Sequence, residues 1–204
     1  MDSLGFRATF YDIIGYMIPG SLAIFVGWAN VFVWGDAELA KNAMKIVVEN
    51  FGFSFVVIAA AGYVCGHALN ALSSCVIEWP IRKLWWNKWT NWTSRLNEER
   101  LARVDEMARK EFAMPAKQLS AFDIRIRLES QLPGPAITGL CFLSYYGMSR
   151  NLVALSLLAT PVSIAIAGWW GIASLIVAGL FFYQYKRSVV NYYDFLGSSL
   201  LLAA

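Results

Sequence analysis

Long apolar runs without a single Asp, Glu, Lys or Arg, Ile13 to Trp34 and Phe53 to Ile77 among them, limit what this chain can fold into. A hydrocarbon layer about 30 Å thick needs about 20 apolar residues per helical crossing. Inside it, every backbone N–H and C=O must find a partner within the segment, which favours helices. Only 15% of the 204 residues are charged, against about 25% in soluble domains. Most of those charges fall between Glu78 and Glu129. The expected fold is an all-α integral membrane protein with four transmembrane helices and a helical cytoplasmic insert between the second and third.

The expected boundaries are residues 1–78 for the first two spans, 79–149 for the insert, 150–187 for the last two spans, and 188–204 for a cytoplasmic tail. The first apolar run is too long for a cleavable signal peptide, carries Asp12 at its edge and lacks a small-residue cleavage site. The last apolar region admits two readings. In the preferred one, the third span begins at Asn151 and turns at Gly168-Trp169-Trp170-Gly171, and the fourth ends near Tyr185. In the other, the third span begins near Ala136 and turns near Pro161. That places Arg150 at membrane depth, at a cost of about 2.5–3.5 kcal/mol unless it is paired.

The insert, Glu78 to Pro133, holds eleven Lys/Arg and eight Asp/Glu, whereas only Lys41 and Lys45 lie between the first two spans. The expected location is the bacterial inner membrane, and the positive-inside rule places the insert and both termini in the cytoplasm. Within the insert, RLNEERLARVDEMARKEF places Leu96, Leu101, Val104, Met107, Ala108 and Phe112 on one helical face, and Met114-Pro115 should stop that helix. Packing of this face against copies of itself is expected. A second helix is expected over KQLSAFDIRIRLESQL.

Chemistry-bearing groups are few. One histidine cannot build a histidine-based metal cluster within a subunit, and no nucleophile elbow, Walker loop or dinucleotide-binding glycine pattern occurs. No cofactor and no enzymatic activity are expected. Cys65, Cys75 and Cys141 lie in apolar stretches without metal or redox spacing and suit small apolar fillers.

The second span, GYVCGHALNALSSCVIE, is more informative. Tyr63, His67, Asn70, Ser74 and Glu78 fall within roughly 80° of one another on a helix. Tyr63, His67, Asn70 and Ser74 are therefore pore or gating candidates; the plainer reading is hydrogen bonding to a neighbouring helix. Gly62 and Gly66 form a Gly-x-x-x-Gly pair beside the stripe, and Pro19-Gly20 makes a notch in the first span, so these four are helix-packing candidates. The following EWPIRKLWWNKWTNWTSR interleaves aromatic rings and cations. Arg82, Lys83, Trp85, Trp86, Lys88, Trp89, Trp92 and Arg95 fit either a headgroup belt on membrane lipid or a site for single-stranded DNA or a nucleotide signal.

The opening FYDIIGYMIPG together with GYVCGHALNALSSCVIE resembles the first two spans of small membrane proteins from bacterial anti-phage defence operons, over about the first 80 residues. The Hailong type, with an oligonucleotide-binding crown over a channel, is among them. The resemblance implies a channel-type effector paired with a nucleotide-signal synthase. The function expected is a homo-oligomeric channel-type effector gated at its insert. A non-conducting scaffold anchoring a cytosolic partner protein, or a small membrane enzyme acting on lipid, are the alternatives.

Overall fold

The computed structural model of the protein describes residues 12–120, 123–125 and 133–202. Among them there is no strand. Helix α1 (Ile13–Trp34) opens with a π turn over Ile13–Met17. Helix α2 (Ala37–Glu49) occupies the connector to α3 (Phe51–Leu84), which contains a second π turn over Ser74–Glu78. Short α4 (Trp86–Thr90) and a 3-10 turn (Trp92–Arg95) lead to α5 (Glu98–Phe112). Helix α6 (Pro133–Ala167) and helix α7 (Ala173–Leu202) are joined by the 3-10 turn Gly168–Ile172. Among the described residues, three helices are long and apolar enough to cross a membrane: Ile13–Trp34, Phe51–Leu84 and Thr138–Ala167 of α6.

The chain forms two compact units, one ending at Ile81 and resumed over Ser144–Tyr185, the other Arg82–Leu143 with the chain from Lys186 onward. In the first, α1 packs on α3 through residues with little or no side chain. A methyl group on Gly20 would strike the Gly62 carbonyl and the Gly66 amide, and one on Gly66 would strike the carbonyl of Tyr16. Pro19, Gly20, Gly62 and Gly66 are all buried here. The contact is thus within one chain, and backbones this close leave no room for any side chain at the crossing. Ile18, Leu22, Phe25 and Phe32, on the face of α1 opposite Gly20, are exposed.

The turn after α6 falls at Gly168–Ile172, with Gly168 at φ +56° and Trp169 exposed. Pro161 lies inside α6 rather than at a turn, and Arg150 lies inside the same continuous helix. Ser174 closes the hairpin, its hydroxyl lying 2.7 Å from the Gly171 carbonyl and 3.0 Å from Thr160 Oγ1, to either of which it can donate.

The second unit has a core of the water-soluble kind. Trp92, Val104, Ala108, Ala116, Leu119, Ile124, Leu196 and Leu200 are buried together, with Phe112 and Leu96 packed against them. The apolar face of α5 is therefore covered by its own chain, which corrects the expectation that copies of the helix cover one another. Arg100 and Glu111, which interrupt that face in sequence, remain exposed. Asn97 caps α5 by accepting the Arg100 N–H at 2.9 Å, and the helix ends at Ala113 in the left-handed region, just before Met114-Pro115. The helix expected over KQLSAFDIRIRLESQL lies largely outside the described residues. Its start is a 3-10 turn, Ala116–Gln118, and residues 123–125 are helical.

Candidate functional site: a polar cluster and an aromatic patch on α3

The polar stripe of α3 divides in two. Its lower part turns inward. Arg150 of α6 is ion-paired with Glu78 and hydrogen-bonded to the Asn70 side-chain oxygen. Its guanidinium also lies over the Tyr146 ring, 5.4 Å from the centroid. Arg150 is 5% exposed and Glu78 4%, so each charge relies on the other; a lone charge at such depth would be expelled or neutralised. Next to it, Ser73 donates to Asn151 Oδ1 at 2.6 Å, and Asn151 Nδ2 donates to the carbonyl of Gly15 at 3.0 Å.

Both π turns serve this cluster. In a π turn the hydrogen bonds run from i to i+5, as Ile18 N–H to Ile13 O and Trp79 N–H to Ser74 O do here. In α1 the turn contains the Gly15 carbonyl that accepts from Asn151. In α3 it brings Glu78, five residues beyond Ser73, onto the same buried face. Ser74, the candidate from the even spacing of the stripe, is only half-buried; the buried hydroxyl is Ser73.

The upper part of the stripe faces outward. His67 is exposed and Tyr63 is 40% exposed. The Tyr16 ring stacks on His67 at 4.1 Å and 16°, and Tyr63 meets the same imidazole edge-on at 4.6 Å. Gly66 makes this possible, since the backbone of Tyr16 rests where a side chain at that position would be. Measured along α6 from Gly168, Arg150 lies eighteen residues away, about 27 Å at ~1.5 Å per residue. That is close to the ~30 Å of a hydrocarbon core. His67 lies eleven residues up α3 from Glu78, about 16 Å, a little over half of that length.

The ligand candidates in the second unit also divide. Trp89 and Trp92 are 7% and 6% exposed. Trp92 packs against Gly197 where a side chain would clash. These two are buried with the core, which corrects their assignment as exposed ligand platforms. Arg95 Nε donates to Asp194 at 2.6 Å and its Nη1 to the Trp89 carbonyl at 3.1 Å, so it ties core elements together. Arg82, Lys83, Trp85 and Lys88 stay exposed. Arg82 lies over half-buried Trp86, 4.9 Å from its centroid. Beside Trp92 is a cavity of about 610 Å³ lined also by Asn87, Thr90, Asn91, Lys117 and Tyr193; burial pushes the Tyr193 phenol above its ordinary range, which keeps it a neutral donor.

Tyr16, Ser73 and Asn151, together with the cavity residues Asn87, Thr90 and Lys117, were not singled out from the sequence. For Arg150-Asn151 the signal was available: two polar residues inside an otherwise apolar run. Among the described residues no group of His, Cys, Asp and Glu is placed to hold a metal ion. Comparison of the chain with protein-family models, curated proteins and solved structures gives no match.

Proposed function

We propose that this chain is a four-span protein of the bacterial inner membrane that assembles with copies of itself into a channel-type effector. The observation that carries the reading is the exposed Tyr16–His67–Tyr63 patch near mid-depth of α3. An imidazole facing hydrocarbon there is unfavourable, so the patch faces water or a neighbouring subunit, and a ring of such faces lines a polar path. The fourth span is α7: it returns along α6, with Tyr185 stacked on Tyr146 at 5.2 Å, before Lys186 and Arg187 stop it at the cytoplasmic side. On this topology Glu78–Arg150 sits at the cytoplasmic edge of the hydrocarbon, where it fixes α3 against α6.

The cytoplasmic part, residues 79–149, is the sensing part in this reading. Its exposed cations Arg82, Lys83 and Lys88, beside Trp85 and Trp86, suit an anionic, stackable signal such as a nucleotide or single-stranded DNA. Anti-phage defence is the setting that the resemblance of the first two spans suggests. Purified protein in liposomes tests the reading. Ion flux that appears with oligonucleotide and is altered by His67→Ala is expected. Absence of conductance with or without oligonucleotide would leave the scaffold alternative in its place.

A further inference from the structure

The connector between α1 and α3 is itself a helix, and its apolar surface is wider than what the protein covers. Ala40 of α2 is 1% exposed, with its carbonyl accepting the Trp28 indole N–H at 2.9 Å. Helical spacing puts Leu39 and Ile46 on one flank of that contact line and Met44 and Val48 on the other. Leu39, Ile46 and Val48 are each 60% exposed or more. Between α1 and α2 runs an open, mostly apolar groove lined by Trp28, Phe32, Met44 and Val48 together with Lys41, Lys45 and Glu49. The helix is held at both ends by membrane-crossing helices, and after Glu49 and Asn50 the chain enters α3 with exposed Phe51, Phe53 and Phe55.

We propose that α2 is an interfacial helix, seated in the boundary between lipid headgroups and acyl chains, with Leu39 and Ile46 in lipid. The proposal rests on the reading of α1 and α3 as membrane spans. Asp36 supports it by capping α2, accepting the N–H groups of Glu38 and Leu39 at 2.9 and 3.1 Å, so the helix begins directly where α1 ends. The charges on the polar face cancel one another: Lys41 pairs with Glu38 at 3.1 Å and Lys45 with Glu49 at 3.8 Å. Apolar burial, and not attraction to anionic lipid, therefore holds the helix at the surface. A second copy of the chain is the competing occupant of the same flank. The exposed Phe51, Phe53 and Phe55 at the start of α3, directly after α2, favour lipid.

Single-cysteine variants of the full chain, in a Cys65→Ala, Cys75→Ala, Cys141→Ala background, test this with a fluorescent label. The labelled protein goes into phosphatidylcholine vesicles bearing a nitroxide at either the headgroup end or the tail end of the acyl chain. Labels at Leu39→Cys and Ile46→Cys are expected to be quenched most by the headgroup-end nitroxide. A label at Asn42→Cys, on the polar face, is expected to be quenched by aqueous iodide. Phe25→Cys, on the outer face of α1, is expected to respond to the tail-end nitroxide. Mixing phosphatidylglycerol into the vesicles is expected to leave the pattern unchanged. Protection of Leu39 and Ile46 from both nitroxides, with Phe25 still quenched, would put protein rather than lipid on the flank and overturn the proposal. Iodide reaching Leu39 and Ile46 would place α2 in water and do the same. Loss of lipid quenching at Phe25 as well would overturn the membrane reading beneath it.

Discussion

The two units of this chain use their side chains in opposite ways. In the first, the outside is Phe51, Phe53, Val64 and Ile166, each more than 60% exposed, while Ser73, Asn151, Arg150 and Glu78 are buried. In the second, Val104, Ile124 and Leu196 are buried, and the surface carries Arg103–Glu99 and Arg109–Asp105 pairs. The difference follows from solvent. In water, burying apolar surface drives folding. Between helices in hydrocarbon that drive vanishes, and close backbone packing and polar pairing take over. The first unit also buries Leu69, Val153 and Leu155, but its outside, unlike that of the second, is mostly apolar.

Substitutions can break this contrast, and the largest effect is expected at the glycine crossing. Gly66→Leu forces a side chain into the Tyr16 backbone, and the α1–α3 contact should be lost. Detergent-solubilised variant protein is expected to aggregate on size-exclusion chromatography, whereas Gly52→Leu, where the structure leaves open space, should behave like the parent.

Next comes the buried pair. Arg150→Met strands Glu78 and should cost about 3–5 kcal/mol, read as a lowered midpoint of unfolding in detergent. Adding Glu78→Leu to Arg150→Met is expected to restore most of it, because a buried pair is often replaceable by apolar side chains. Failure of that rescue would assign the pair a role beyond holding the helices.

In the second unit the same logic applies to apolar residues. Trp92→Ala should cost about 3 kcal/mol, the low end for buried aromatics because Trp92 already borders a cavity. Trp85→Ala, at 49% exposure, should stay within about 0.5 kcal/mol. Equal effects would return Trp92 to the ligand face.

A smaller effect, about 1 kcal/mol, is expected for Asn97→Ala, which removes the cap of α5. Local opening of Glu98–Phe112 by hydrogen exchange would report it. The smallest involves Asp105. The Ala116 N–H and the Arg109 guanidinium, both hydrogen-bonded to it, hold its carboxyl below the usual range. A lowered folded value stabilises the folded form above the unfolded pKa, about 3.9, and that contribution is lost as pH falls through the folded value. Protection from hydrogen exchange across Ala116–Gln118, taken relative to the intrinsic rate at each pH, should therefore weaken in acid, and Asp105→Asn should flatten that dependence.

The helical class and the first two apolar crossings were legible because a run free of charge has few other fates. Gly62, Gly66 and Pro19-Gly20 were legible as packing residues, though which helix they meet was not, since spacing carries no partner. Arg150 looked like a flanking charge because its partner Glu78 lies 72 residues earlier, and one-dimensional patterns miss such pairs. Ser73 was passed over for Ser74 because the stripe followed Tyr63, His67 and Asn70, whereas the buried face of α3 runs through Gly62, Gly66, Leu69 and Ser73; the π turn over Ser74–Glu78 then swings Glu78 toward that face. Trp89 and Trp92 looked like their neighbours Trp85 and Trp86; only the fold separates core from surface among them.

Water access to position 67 tests the central claim most directly. In the cysteine-free background, His67→Cys in proteoliposomes is predicted to react with a charged, membrane-impermeant thiol reagent, while Phe25→Cys on the lipid face of α1 stays protected. Blocked reaction at position 67, with protection equal to that at position 25, would mean that the aromatic patch faces lipid or packed protein, and would contradict a polar path along α3.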